Sequence, residues 1–152
     1  MEPRTHLRID PAWCGTPVEL REGSAEVELL TRPEMAADEQ GLVHGGFIFG
    51  LADYAAMLAV NEPNVVLANA DVSFLKPVRV GERLVAIAAV GDVEGHKHRV
   101  HCAVRGADGD VLQGRFTCVV TRRHVLEARD GATSGAGTPL LSAPAPSRGE
   151  VP

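Results

Sequence analysis

The chain has 152 residues, a formal net charge of −5 and a hydrophobic content of 45%. That length suits one domain with a single core, and the acidic balance argues against a general nucleic-acid role. No apolar run reaches the roughly 18 residues of a membrane span, and "MEPRTHLRID" lacks the apolar stretch of a secretory signal, so a cytoplasmic protein without a membrane partner is expected.

Residues 1–16 read as an N-terminal segment, 17–127 as the domain and 128–152 as a tail. The tail, "ARDGATSGAGTPLLSAPAPSRGEVP", is rich in Gly, Ala, Ser and Pro and is expected to be disordered. Cys14, Cys102 and Cys118 are odd in number and widely spaced. They fit neither a zinc pattern nor a disulfide framework, so reduced thiols are expected.

Within the domain, "TPVELREGSAEVELLT" predicts two short strands joined at "EGS", with Ala25, Val27 and Leu29 alternating against Glu26 and Glu28. "RPEMAADEQG" is a loop ending in glycine. From Phe47 to Val60 the chain holds twelve apolar residues, one glycine and one charge, Asp53. This segment predicts a helix beginning near Gly45 or Gly46 and stopped by "NEPN". "VVLANADVSFL" alternates Val66, Ala68, Ala70, Val72 and Phe74 against Leu67, Asn69, Asp71, Ser73 and Leu75, as a half-buried strand ended by Pro77 does. "RLVAIAAVGDV", "HRVHCAVRGA" and "DVLQGRFTCVVTRR" predict three further strands, joined by "EGHK" and by "ADGD", whose Asp-Gly is a hairpin signal. The expected fold class is α+β. Four strands in series form consecutive hairpins, and a largely antiparallel sheet curls about one helix that is apolar nearly all round.

The lone carboxylate in that helix is the sharpest feature. Gly46, Phe49, Gly50 and Asp53 fall on one helical face, so two glycines clear space beside the charge. Burying an unpartnered carboxylate costs several kcal/mol. A structural Asp bound to a loop or a second chain is one reading. The cleared face, and a first helical turn whose N–H groups have no intrahelical partner, favour the other. A carboxylate near such donors is the minimum set for acyl transfer: a base or nucleophile plus an oxyanion hole.

"HGGFIFGLADYAAMLA", with Asp53 nine residues after His44 and "FLKPVRVGE" downstream, resembles the signature of hotdog-fold acyl-CoA thioesterases. The nearest branch is that of the phenylacetate-pathway and 4-hydroxybenzoyl-CoA thioesterases, and the resemblance extends over about residues 17–121. It implies that Gly45 gives its N–H to the thioester carbonyl. It also implies that Asp53 acts as nucleophile or as general base towards water, in sites shared between chains. Many relatives carry Asn six residues before the His; here that position is Asp38, with Gln40 as the nearby amide.

His44 reads as a structural residue that hydrogen-bonds the loop and sets the Gly45 geometry; it enters the site on that ground. Gly46 and Asn69 join the substrate-binding candidates, Asn69 as the best pocket-lining residue on its strand. Lys76, Arg79 and Arg99, the last within "HKHR", offer charge for coenzyme A phosphates. His96 and His98 share a strand face, yet no Asp, Glu or Cys joins them at ligand spacing, so no metal is expected. No cofactor is implied beyond the coenzyme A of the substrate. Phe47, Phe49, Leu51 and Leu75 suit aliphatic or aromatic acyl groups. The expected state is a homo-oligomer, dimer or tetramer. The rival reading is a non-catalytic acyl-CoA sensor, although the stretch before Pro17 is short for the DNA-binding segment such regulators carry. A dehydratase of the same fold is a third reading, for which His44 alone is thin support.

Overall fold

The computed structural model describes residues 1–130. The elements run α1 (Pro11–Cys14), β1 (Thr16–Arg21), β2 (Ser24–Leu30), a 3-10 turn (Pro33–Met35), α2 (Gly45–Val60), β3 (Val65–Phe74), β4 (Arg83–Glu94), β5 (Lys97–Gly106), β6 (Gly109–Val120) and α3 (Val125–Asp130). The boundary expected at residue 128 falls inside α3; the rest of the tail lies outside the described residues.

The six strands form one antiparallel sheet in the order β1-β2-β4-β5-β6-β3. β4, β5 and β6 are the consecutive hairpins that their turn residues predict. β3 departs from the expected series: it lies at the far edge, beside β6. Residues 75–82 link it to β4 through Pro77, which is longer than a hairpin loop and lets the chain cross the sheet. A bulge between Leu67 and Asn69 also breaks the β3 alternation; beyond it Ala70 and Val72 turn inward while Asn69, Asp71 and Ser73 stay exposed. Phe74, expected on the inner face, is 53% exposed, because it ends the strand beside the start of α2.

The sheet curls around α2. Leu51, Ala52, Ala55, Met57 and Leu58 are buried against Val27, Leu84, Val100 and Val104 from β2, β4 and β5. The helix ends at Asn61, whose left-handed conformation (φ 53°) lets its N–H reach the Met57 carbonyl. The Asn61 side chain then ties down the chain start. It accepts from the Arg4 N–H at 2.7 Å and donates to the Glu2 carbonyl at 3.0 Å. Residues 1–16, set apart on sequence, are therefore built into the domain.

Candidate active site

The first turn of α2 starts after His44, which has extended backbone. The His44 N–H donates to the Met35 carbonyl at 2.9 Å, while its ring makes no hydrogen bond among the described residues. His44 thus holds the loop through its backbone, not through its imidazole. The ring lies over Gly46, where a methyl would stand 3.1 Å away, and meets Phe47 edge-on at 6.2 Å. The N–H groups of Gly45 and Gly46 occupy the turn that has no helical acceptors. A cavity of about 330 Å³ opens beside them, lined by Val43, Gly45, Ile48, Phe74, Lys76 and Val78.

Asp53 lies further along α2 and is half-buried. Phe49 stacks on Phe116 of β6, with ring centroids 5.8 Å apart. Asp53, four residues further along the helix, lies close enough to Cys118 of the same strand for its charge to act on that thiol. Its Oδ1 is buried and has no hydrogen-bond partner among the described residues. Burial pushes the Asp53 carboxyl up to about 6. The charge is felt by its neighbours. Burial first, and Asp53 second, raise the Cys118 thiol to about 12. The Cys14 thiol is raised by burial, then by Asp53 and Asp10.

Asp38 does not reach this carboxylate. Its Oδ1 accepts the N–H groups of Gln40 (2.9 Å) and Leu42 (3.2 Å) and so shapes the loop before the helix. Gln40 and Asp38 line a neighbouring cavity of about 400 Å³ with Arg79, Glu82 and Asp108. Three carboxylates share that cavity with one guanidinium, which disfavours a phosphate there. Lys76 is better placed: it borders the cavity at Gly45 and donates to the Asp108 carbonyl at 2.6 Å. Asn69 is exposed on the edge strand opposite Thr117. Arg99 pairs with Glu94 at 3.3 Å, towards the other end of the sheet. Within one chain the fold therefore brings Gly45 and Lys76 to one cavity, with Gly46 next in the helix beneath the His44 ring, and leaves Asp53, Asn69 and Arg99 outside its lining. Among the described residues, no group of three His, Cys, Asp or Glu stands at ligand spacing for a metal.

Cys14 and Cys118, expected from the sequence only as reduced thiols, are neighbours of Asp53. A signal for the first existed: "DPAWCG" places Asp at an N-cap, Pro at the first helical position and Gly just past the end.

A curled antiparallel sheet around one apolar helix, with a glycine-opened helix start and an acid on that helix, defines a hotdog domain. Residues 40–113 match the family model described as the thioesterase superfamily, and the chain belongs to that superfamily. It is similar to an uncharacterised protein, PH1136, from Pyrococcus horikoshii, with a TM-score of 0.81 and 54% identity over 83% of this chain and 97% of that one. It is also 51% identical, over 119 residues, to a protein of Aquifex aeolicus named methylthioribose-1-phosphate isomerase; the match covers 78% of this chain and 26% of that protein. Its identity to the transcription factor FapR of Caldanaerobacter subterraneus is 27% over 116 residues, covering 76% of this chain and 58% of the factor. The chain thus spans about a quarter of the length of the Aquifex aeolicus protein and 58% of that of FapR.

Proposed function

We propose that the chain hydrolyses an acyl-CoA thioester to a free acid and coenzyme A. The observation that carries this reading is Asp53: a half-buried carboxylate with an unpartnered buried oxygen, on the same apolar helix whose open first turn presents Gly45. In the general-base route, Asp53 takes a proton from water as the water oxygen bonds to the thioester carbon. The carbonyl oxygen gains negative charge and is met by the Gly45 N–H and the positive helix end. Collapse breaks the carbon–sulfur bond; the coenzyme A thiolate leaves and takes up the proton. In the nucleophilic route, an Asp53 oxygen bonds to the thioester carbon, the carbon–sulfur bond breaks and the coenzyme A thiolate leaves; water then cleaves the mixed anhydride, which frees the acid, restores the Asp53 carboxylate and supplies the thiolate's proton. Both routes need the ionised carboxylate, and both draw Gly45 and Asp53 from different chains of a dimer.

The isomerase name belongs to a protein about four times the length of the matched segment. The same fold makes up nearly all of the PH1136 chain. We therefore assign the isomerase chemistry to the remainder of the longer protein. The similarity to FapR supports a second reading, an acyl-CoA sensor that binds without turnover. A panel of acyl-CoA esters assayed for free thiol release separates the two. Thiol release that tracks enzyme concentration supports hydrolysis; calorimetric binding without release supports the sensor.

A further inference from the structure

The N-terminal segment ends in α1, which three local devices build. Asp10 accepts the Ala12 N–H at 2.9 Å, Pro11 opens the turn, and Gly15 stops it with its N–H on the Pro11 carbonyl. Gly15 has φ +95°, and a methyl there would meet the Glu28 carbonyl oxygen at 2.8 Å, Val27 Cγ1 at 2.9 Å and Leu51 Cδ1 at 3.0 Å. Only glycine allows that approach, which presses α1 against β2 and α2. Cys14, the last residue of α1, is thereby seated on the catalytic helix. Its Sγ lies 3.9 Å from the point where a Cβ on Gly50 would stand. Gly50 is three residues before Asp53 and on the same face. The thiol therefore lies in van der Waals range of the helix face that carries the carboxylate.

The titratable groups facing Asp53 are Cys14 from α1 and Cys118 from β6, with Tyr54 beside it on α2. No ion pair among the described residues includes Asp53. Both thiols are raised, by burial first, so both are uncharged at neutral pH. A weakly polar thiol is a poor substitute for water around an anion, and its bulk excludes water.

We propose that Cys14 is a positioning residue for Asp53: carried by α1 onto the Gly50 side of the helix, its uncharged thiol covers that side of the carboxylate and keeps bulk water off it. A carboxylate shielded on that side stays a stronger base, and its other side is left for the substrate and the attacking water. The catalytic meaning rests on the thioesterase reading, but the cover itself does not.

The test compares Cys14→Ser, Cys14→Ala and Cys14→Val in the full chain. Asp53 is followed by NMR titration of its labelled carboxyl carbon without substrate, and by the acid limb of kcat/KM with an acyl-CoA ester. Serine brings a hydroxyl donor and alanine leaves room for water, so both lower the Asp53 midpoint by about half to one pH unit. For a full unit, the share of plateau activity retained one unit below the wild-type midpoint rises about fivefold. Valine keeps the cover dry and leaves the midpoint in place. Folded serine and alanine variants with wild-type midpoints overturn the proposal, even if their melting temperatures fall. A midpoint that moves in a protein with no thiol release upholds the cover and removes the thioesterase reading instead. Hydrolysis with an immobile midpoint does the reverse.

Discussion

Gly45 and Asp53 stand eight residues apart on α2, which places about 12 Å of helix axis between the donor and the carboxylate. A thioester carbonyl spans one bond, and a reacting group must come within about 3 Å of it. Two helices running antiparallel across a twofold axis can meet that demand, each giving its first turn to the other's Asp53. Mixing two inactive variants tests this. Asp53→Asn keeps the donor, and Gly45→Pro removes the N–H while keeping the acid. Co-refolding is expected to restore up to about half the activity per heterodimer, since one of two sites is then intact. Folded heterodimers no more active than the separate variants would place the whole site in one chain.

Asp53→Asn should lower kcat by about a hundredfold or more with the fold intact, the scale of losing a base or nucleophile. In the wild type, kcat/KM is expected to fall about tenfold per pH unit below a midpoint near 6, the value to which burial raises Asp53. Wild-type turnover in the variant would remove Asp53 from the chemistry.

The same substitution has an opposite effect on stability. The folded Asp53 carboxyl titrates at about 6, above its ordinary 3.8. The native state therefore binds this proton more tightly than the unfolded chain. The resulting stability is complete below 3.8 and is lost as pH rises through 6. Above that window the ionised acid destabilises the fold, by an amount on the order of 1–3 kcal/mol. Asp53→Asn should raise the melting temperature at about pH 8, and the gain should vanish near pH 3.5. A variant less stable than wild type at the higher pH would show that the carboxylate has a partner in the assembled protein.

Charge at the mouth of the site divides between Lys76 and Arg79. Lys76 borders the Gly45 cavity, whereas Arg79 shares its own cavity with Asp38, Glu82 and Asp108. Lys76→Met is expected to raise KM for acyl-CoA by about tenfold, the scale of a lost charge-assisted hydrogen bond. The N-acetylcysteamine ester, which has no phosphate, should be little affected. Arg79→Gln should move the acyl-CoA KM less. Equal effects of Lys76→Met on both esters would leave phosphate binding to other residues.

Much of this arrangement can be read from residue order alone. Twelve apolar residues around one acid foretell α2, and its observed span, Gly45–Val60, begins at one of the two glycines expected to open it. Asp-Gly in "ADGD" foretells the β5–β6 turn. The position of β3 is less legible, because residues 75–82 carry no sign of which edge they lead to. The loop role of Asp38 is hidden for a different reason. An Asx turn and a site acid look alike until the Gln40 and Leu42 N–H groups are placed. Cys14 is hidden because α1 is one turn long, too short for a periodic pattern, and its meaning comes from a tertiary contact at Gly50.

The ladder between β2 and β4 joins Ser24 to Ala89 and Leu30 to Arg83, so it brackets α2 and β3. It cannot form by local zipping. The chain must close a long loop with the apolar helix already inside it, and loop closure of that kind is slow. Until the ladder closes, the side of α2 that faces β2 and β4 has no cover. The lifetime of that open species sets the window in which chains stick to one another rather than fold. Refolding yield should therefore fall as protein concentration rises, through the exposure of helix side chains, Leu51, Met57 and Leu58 among them, that the native molecule buries fully.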